Sequence, residues 1–381
     1  MPTATAILET NPSRSDLSGS NLSQSILVIF PGALGDLICL IPTLRAIARR
    51  HPDSALELMA RAELAAFARG RLGSLQGHSR SDSQGHSIDR REVAQLFAAG
   101  AGPIAAEART FFGSYAHVYS FFAADNEDFR AALDAASGGH ASYFPFRPPG
   151  DGHIAAAYLR QLDEQADMAM KTDSGEEIGG EGAAALDCSF ELSREELNSA
   201  RERLASLGLE VGKYVLVLPG SGSLAKNWPA ENFAALAASL DPRIRSLVLL
   251  GPAEVELGTV FTNYWTNYWT SDEGACVAAN GTADGADNRT DNPAAIGPRV
   301  IANLELAEVA ALARLARCFV GNDSGVSHLA AAAGAPGLAI FGPTDPMRWR
   351  PLGRTTVIRR EPLSTLTTQE VEAALLEIIA S

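Results

Sequence analysis

The chain has 381 residues, 46% of them hydrophobic, with a formal charge of −14 and a pI near 5.0. Single cores stop growing at about 250–300 residues, so this length predicts two domains with a cleft between them. The acidic balance excludes a generalised grip on phosphate backbones, which needs a basic face, and with it nucleic acid as a partner.

The charge is not evenly spread, since residues 26 to 110 hold ten Arg against eight acidic residues. An anionic ligand meets this part most readily, although scattered solvated arginines account for it equally well. Cys39, Cys188, Cys276 and Cys318 are isolated, with no CxxC pair and no metal-ligand spacing, which fits a reducing, cytosolic compartment. The first 25 residues lack the apolar stretch of a signal peptide and read as a disordered tail, residues 1–25. No apolar run free of charge reaches about 18 residues, so no transmembrane segment is expected.

In chain order, "SILVIF" is a short apolar run of the buried parallel-strand kind, "PGALGD" is a turn, and "LICLIPTLRAIARRHP" continues with helical spacing. "ALELMA" and "AHVYSFF" read as further strands, separated by Ala-rich helical stretches such as "REVAQLFAAG". The first half is therefore expected to be a doubly wound parallel sheet. Residues 150 to 187 degrade into polar, Gly-rich sequence, "KTDSGEEIGGEG", as at a domain boundary. A second α/β run follows. "SREELNSARERLASLG" is a helix with a Ser cap and a Gly stop, "YVLVLPGSGS" is strand and turn, "ENFAALAASL" a helix, "SLVLLG" a strand and "LAEVAALARLA" a helix. The tandem "TNYWTNYWT", Thr262 to Thr270, and the polar stretch after it read as a variable insert, with an aromatic platform for sugar or a membrane interface as the other reading. The last α/β unit is "FVGNDSGVSHLAAAAGAPGLAIFGPTDP": strand, polar turn, small-residue helix, strand.

Ligands of open α/β sheets bind beyond the carboxyl ends of the strands, and three turns carry polar residues there. In "PGALGD", Gly32 and Gly35 permit a tight turn and Asp36 opens a helix, either as a cap or as a functional carboxylate. In "PGSGSLAKNWP", Ser221, Gly222 and Ser223 offer N–H groups and hydroxyls ahead of a helix, and Lys226 adds a point charge; this suggests phosphate, although a surface turn with a solvated Lys reads the same. In the last unit, Asp323, Ser324 and Gly325 sit where a strand hands over to a helix, and His328 lies one turn on, to help at that spot or merely to pack. The two later turns together make a nucleotide-diphosphate site, with Asp36 facing it across the cleft. No G-x-G-x-x-G follows any strand, which weakens a hydride-transfer reading.

These three turns, in this order, resemble the ADP-heptose:lipopolysaccharide heptosyltransferases, glycosyltransferase family 9. The pieces that carry the resemblance are "LVIFPGALGDLICLIPTLRAIARRHP", "VLPGSGSLAKNWPAENFAALAASL", "LLGPAEVE" and "FVGNDSGVSHLAAAAGAPGLAIFGPTDPMRWRPLG". The resemblance implies an α/β GT-B architecture, two Rossmann-like doubly wound domains facing across a cleft. Residues 26–187 would bind the acceptor and residues 188–362 the nucleotide sugar, while residues 363–381 would form a helix packing back on the N-terminal domain.

It also implies an inverting transfer of a heptose or similar sugar from an ADP-sugar to a lipopolysaccharide-core or other cell-envelope glycan. Asp36 would be the general base and Lys226 would stabilise the leaving diphosphate. Ser221, Gly222, Ser223, Lys226, Glu254, Asp323, Ser324, Gly325 and His328 would hold the donor, with Gly35 and Arg45 towards the acceptor. The expected partners are the nucleotide-sugar donor and a membrane-associated glycolipid, met by a cytoplasmic protein peripheral to the inner face of the membrane. No tightly bound cofactor and no metal are expected, and no Asp-x-Asp occurs in the chain. A sugar-nucleotide 2-epimerase of the same fold and a non-catalytic sugar-nucleotide-binding protein are the alternatives. The sequence departs from the family at "FPGA", where members often carry Arg-x-Ser-Ser, and in residues 73 to 92, which read as a flexible candidate acceptor loop.

Overall fold

The structure is a computed structural model and describes residues 25–69, 71–72, 84–99, 102–171, 186–240, 244–269 and 297–381. The expected N-terminal tail, most of the candidate acceptor loop, the Gly-rich boundary and the sequence after the TNYW repeat lie outside these residues.

Two parallel sheets organise the chain. The first contains β1 (Ile26–Ile29), β2 (Leu56–Ala60), β3 (Gly85–Ser87), β4 (His117–Ser120) and β5 (Ala141–Tyr143) in the order β3-β2-β1-β4-β5. The second contains β6 (Tyr214–Leu218), β7 (Arg245–Leu250), β8 (Arg299–Ala302), β9 (Cys318–Asn322), β10 (Gly337–Phe341) and β11 (Thr355–Arg359) in the order β11-β10-β9-β6-β7-β8. β1 and β6, in the middle of their sheets, are apolar throughout because both faces are covered, as parallel sheets require. Successive side chains point to opposite faces: Ile26 and Val28 enter one apolar cluster and Leu27 and Ile29 another. Likewise Leu216 and Leu218 face one side of β6 and Val215 and Val217 the other.

One of these clusters crosses between the domains. Leu37, Ile38 and Ile41, from the helix Leu34–Arg50, share it with Leu312 and Leu329 of the C-terminal half. The small residues of the helix Gly325–Ala332 let the two helices meet closely: a Cβ on Gly325 would lie 2.9 Å from the Leu34 Cβ and 3.0 Å from the Gly35 nitrogen. The amino ends of both helices, and the turns before them, are thus brought to one place.

Two expectations change. The helix Thr368–Ala380 packs on its own C-terminal sheet, against the helix Ala230–Ser239 and strands β9 and β10, and not back on the N-terminal domain. Val371 and Leu375 are fully buried there, and the Trp228 indole N–H donates to the Leu366 carbonyl at 2.9 Å, which fixes the entry to the helix. The TNYW repeat, read as an insert loop, lies in a helix, Gly258–Trp269, up to its last residue. This segment has neither Pro nor an internal Gly to break it, and Phe261 anchors it at 1% exposure. Among the described residues no helix is long and apolar enough to cross a membrane.

Candidate active site

The first turn places Asp36 in the opening turn of its helix, with only 9% of its surface exposed. Asp36 is not itself the N-cap, which is Ala33; three residues on, its Oδ2 reaches back to accept the Ala33 N–H at 3.1 Å, as the acidic member of a capping box does. The same carboxylate also receives a second residue that the sequence did not signal. Arg147 donates from Nη1 to Oδ1 at 2.7 Å and from Nη2 to Oδ2 at 3.4 Å. Arg147 lies beyond the end of β5, its guanidinium 4.3 Å from the Phe146 ring centroid and 5.0 Å from that of Trp349. An isolated Arg between Pro145 and Pro148 has no motif to announce it.

Next to this pair a cleft of about 1020 Å³ opens beyond the carboxyl ends of β4 and β5. Phe121, Ala123, Arg130, Tyr143, Phe146 and Arg147 line it, and Ala123 is held at φ 49°, a strained conformation for a residue with a Cβ. Arg45 lies elsewhere: its guanidinium donates to the carbonyls of Asp187 and Ser189 and pairs with the Asp187 carboxylate at 3.1 Å, tying the first helix to the segment that leads into the second domain.

The C-terminal side is assembled from three strand ends. At the end of β9, Asn322 is fully buried, its amide donating to the Pro219 carbonyl at 2.6 Å while its oxygen accepts the Trp228 N–H at 3.0 Å. Asn322 thereby fixes both ends of the loop from Pro219 to Trp228, so the second and third turns form one unit. Within that loop the Ser221 hydroxyl donates to the Ser223 carbonyl at 2.7 Å and accepts the Ser223 N–H at 3.2 Å, while a Cβ on Gly222 would meet open space. Lys226 is 2.8 Å from Asp323 Oδ2, so Asp323, which is nearly buried, holds the ammonium in position. Glu254 leans over the same rim, because a Cβ on Gly220 would lie 2.4 Å from its Cδ and one on Gly251 2.5 Å from its Oε2. Ser324 caps the helix Gly325–Ala332 by accepting the Ser327 N–H at 3.4 Å.

His328 is the joint between the two sides. Its Nδ1 is 3.6 Å from the Cys39 Sγ, and its ring carbon Cδ2 lies 3.3 Å from where a Cβ on Gly35 would be. Burial lowers its pKa to about 4 against the attraction of Asp323 and Asp36, so at neutral pH it is an uncharged imidazole. Burial, with Cys188, Asp36 and Asp323 adding to it, pushes the Cys39 thiol well up, so it stays protonated and inert. Asp36 and Asp323 both act on these two groups, one from each domain, each with a cation of its own: Arg147 and Lys226. No cluster of three His, Cys, Asp or Glu side chains suited to a metal ion occurs among the described residues.

A sequence profile described as Glycosyltransferase family 9 (heptosyltransferase) matches residues 280–378. Lipopolysaccharide heptosyltransferase 3 of Escherichia coli is 31% identical over 139 residues, 36% of this chain. Over these stretches the chain is similar to family 9 glycosyltransferases. The matched stretch spans 34% of that heptosyltransferase, about a third of its length. Among solved structures, the family 9 glycosyl transferase of Veillonella parvula superposes with a TM-score of 0.63 at 17% identity, over 94% of this chain and 97% of the other. The ADP-heptose lipopolysaccharide heptosyltransferase II of Escherichia coli gives 0.62 at 19%, over 93% and 98%. An Escherichia coli heptosyltransferase solved with ADP gives 0.56 at 18%, over 93% and 99%. At such identities the likeness establishes the fold, which is GT-B.

Proposed function

We propose that this chain is an inverting glycosyltransferase that moves a heptose or a similar sugar from an ADP-sugar to a lipopolysaccharide-core or other cell-envelope glycan. The observation that carries the reading is the meeting of two helix amino ends across the domain junction. Asp36 stands on one side, and Lys226, Ser324 and the Gly325–Ala332 helix on the other, with His328 between them.

The chemistry follows from the two sides. The acceptor hydroxyl attacks the anomeric carbon from the face opposite the diphosphate while its proton passes to Asp36. The bond from that carbon to the diphosphate oxygen breaks, and its electron pair leaves with ADP. Lys226, the N–H groups of the Ser221–Ser223 loop and the amino end of the helix Gly325–Ala332 stabilise the charge that develops there, the work a divalent cation does in other transferases. Asp323 serves by holding Lys226, since a bare carboxylate would repel the diphosphate. Glu254, lying against the Gly220 turn, would accept the ribose hydroxyls. The cleft beyond β4 and β5 would take the acceptor glycan, whose lipid end sits in the membrane, so the enzyme would work at the cytoplasmic face.

Calorimetry against ADP, UDP, GDP and CMP, with and without magnesium, tests the donor half of this reading. Selective binding of ADP that does not depend on magnesium is expected. A preference for UDP would move the weight to a 2-epimerase, which turns over its sugar nucleotide with no acceptor present, and no binding at all would make the two C-terminal turns ordinary structure. Asp36→Asn should leave ADP affinity nearly intact and slow transfer by a factor of about 100 or more; an unchanged rate would leave a sugar-nucleotide-binding protein whose Asp36 is only a cap.

A further inference from the structure

We propose that Arg147 is a positioning residue for this reaction: it fixes the Asp36 carboxylate through a two-pronged ion pair that the C-terminal domain secures by laying Trp349 against the guanidinium. The inference rests on the assignment of Asp36 as the base.

Three hydrogen bonds reach Asp36, one from the Ala33 N–H and two from Arg147. With the backbone bond alone, the carboxylate could still rock about its Cβ–Cγ bond. The planar guanidinium fork removes that freedom and sets the plane in which the remaining lone pairs point. Stability does not explain the pair, because the Arg147 side chain is 54% exposed and half-exposed ion pairs contribute little to folding. Its use is geometric.

The surroundings of Arg147 come from both domains. Phe146 and Trp349 flank the guanidinium, the first from the N-terminal domain and the second from the short helix Pro346–Trp349 of the other. Beside Trp349, Arg348 donates to the carbonyls of Pro148, Gly150 and Gly152 at 2.6, 2.7 and 3.2 Å. Further along, the His153 ring and the Arg350 carbonyl are 2.8 Å apart. The segment from Arg147 to His153 is therefore stitched to residues 348–350 of the C-terminal domain. Bringing the domains together in this way holds the guanidinium on Asp36, which couples closure over the donor to readiness of the base. During transfer Arg147 stays a cation and the proton moves only from the acceptor hydroxyl to Asp36.

Arg147 also lines the cleft beyond β4 and β5, so a direct contact with the acceptor must be separated from an effect through Asp36. Release of ADP from ADP-heptose, with a heptose-deficient lipopolysaccharide core as acceptor, provides the assay, and Arg147→Met and Arg147→Lys are compared in the native and the Asp36→Asn backgrounds. Arg147→Met is expected to lower kcat by about 10- to 100-fold while the KM for ADP-heptose changes by less than about two-fold. Arg147→Lys should restore part of the loss, since an ammonium brings the charge without the fork. In the Asp36→Asn background Arg147→Met should add less than about two-fold, the signature of two residues acting as one unit. A full additional loss in that background overturns the inference and makes Arg147 an acceptor contact, and an unchanged kcat in the native background makes the pair a bystander. Asp36→Asn with undiminished release instead removes the base assignment itself, and the inference with it. ADP affinity, measured by calorimetry, should be the same in all five variants, Asp36→Asn included, and confirms that each is folded.

Discussion

At the scale of single residues, Glu254 and Gly220 show how a backbone choice positions a side chain. A Cβ on Gly220 would fall 2.4 Å from Glu254 Cδ and 2.6 Å from its Oε1, so only glycine lets the carboxylate lie against the turn. What stands in the way is the far end of a flexible side chain, which can swing aside at little cost to the fold. Gly220→Ala should therefore leave the unfolding midpoint nearly unchanged and weaken ADP about 10-fold, the loss expected for one hydrogen bond to a charged group. Glu254→Ala should weaken ADP by the same factor and the double variant by no more. Calorimetry with ADP reads this directly, and unaltered affinity in Gly220→Ala would remove Glu254 from the nucleotide. Glu254 was legible in "GPAEVE" only through resemblance, whereas Asp36, Lys226 and Asp323 were legible as polar residues at strand ends. Arg147 was not, because its meaning comes from a partner 111 residues away.

At the scale of elements, the long apolar strands and the helices with caps stood out from the sequence. The strand "YVLVL" has no polar residue, and Ser193 with Glu196 announces the helix Arg194–Ser206 and forms the capping box there. Short edge strands were not legible: β3 is only Gly-His-Ser and β5 only Ala-Ser-Tyr, too brief for any period to appear. The final helix was legible as a helix but its destination was not, because an apolar stripe does not say which surface will cover it. Here Leu375 is fully buried in the cluster that contains Val215, Phe233 and Leu338. Leu375→Ala should cost about 2–5 kcal/mol of stability, the range for deleting a large side chain from a packed core. Urea unfolding followed by fluorescence measures it, and a cost below about 1 kcal/mol would mean that the helix sits loosely on the C-terminal sheet.

At the scale of the whole molecule, two domains and a cleft followed from length and alternation, but the closeness of the halves did not. The contacts that join them, Cys39 with His328 and Arg348 with the carbonyls of Pro148 to Gly152, link residues roughly 200 to 290 positions apart. This junction carries a pH dependence. Burial lowers the pKa of His328 to about 4 from an ordinary 6.5, with Cys39, Asp36, Asp323 and His153 around it. Away from the junction, burial beside His51 and His140 lowers His117 to about 4 as well. A depressed histidine binds its proton more readily in the unfolded chain, so the unfolded state takes up more protons between the two pKa values. The stability these groups contribute is fully present above about pH 6.5 and is lost as the pH falls towards 4. The melting temperature should accordingly fall between pH 6.5 and 4 while remaining level from pH 8 to 6.5. His117→Asn and His328→Asn should each flatten part of that fall. Of these two rings only His328 lies where the domains meet, and His153, whose pKa burial also lowers, joins them there through the Arg350 carbonyl; acid should therefore also loosen their closure, and small-angle scattering of the native chain should show an expansion in the same window that His328→Asn reduces. A melting temperature that stays level down to pH 4 would contradict the burial of both rings, and a fall without expansion would place the acid sensitivity in the N-terminal domain alone.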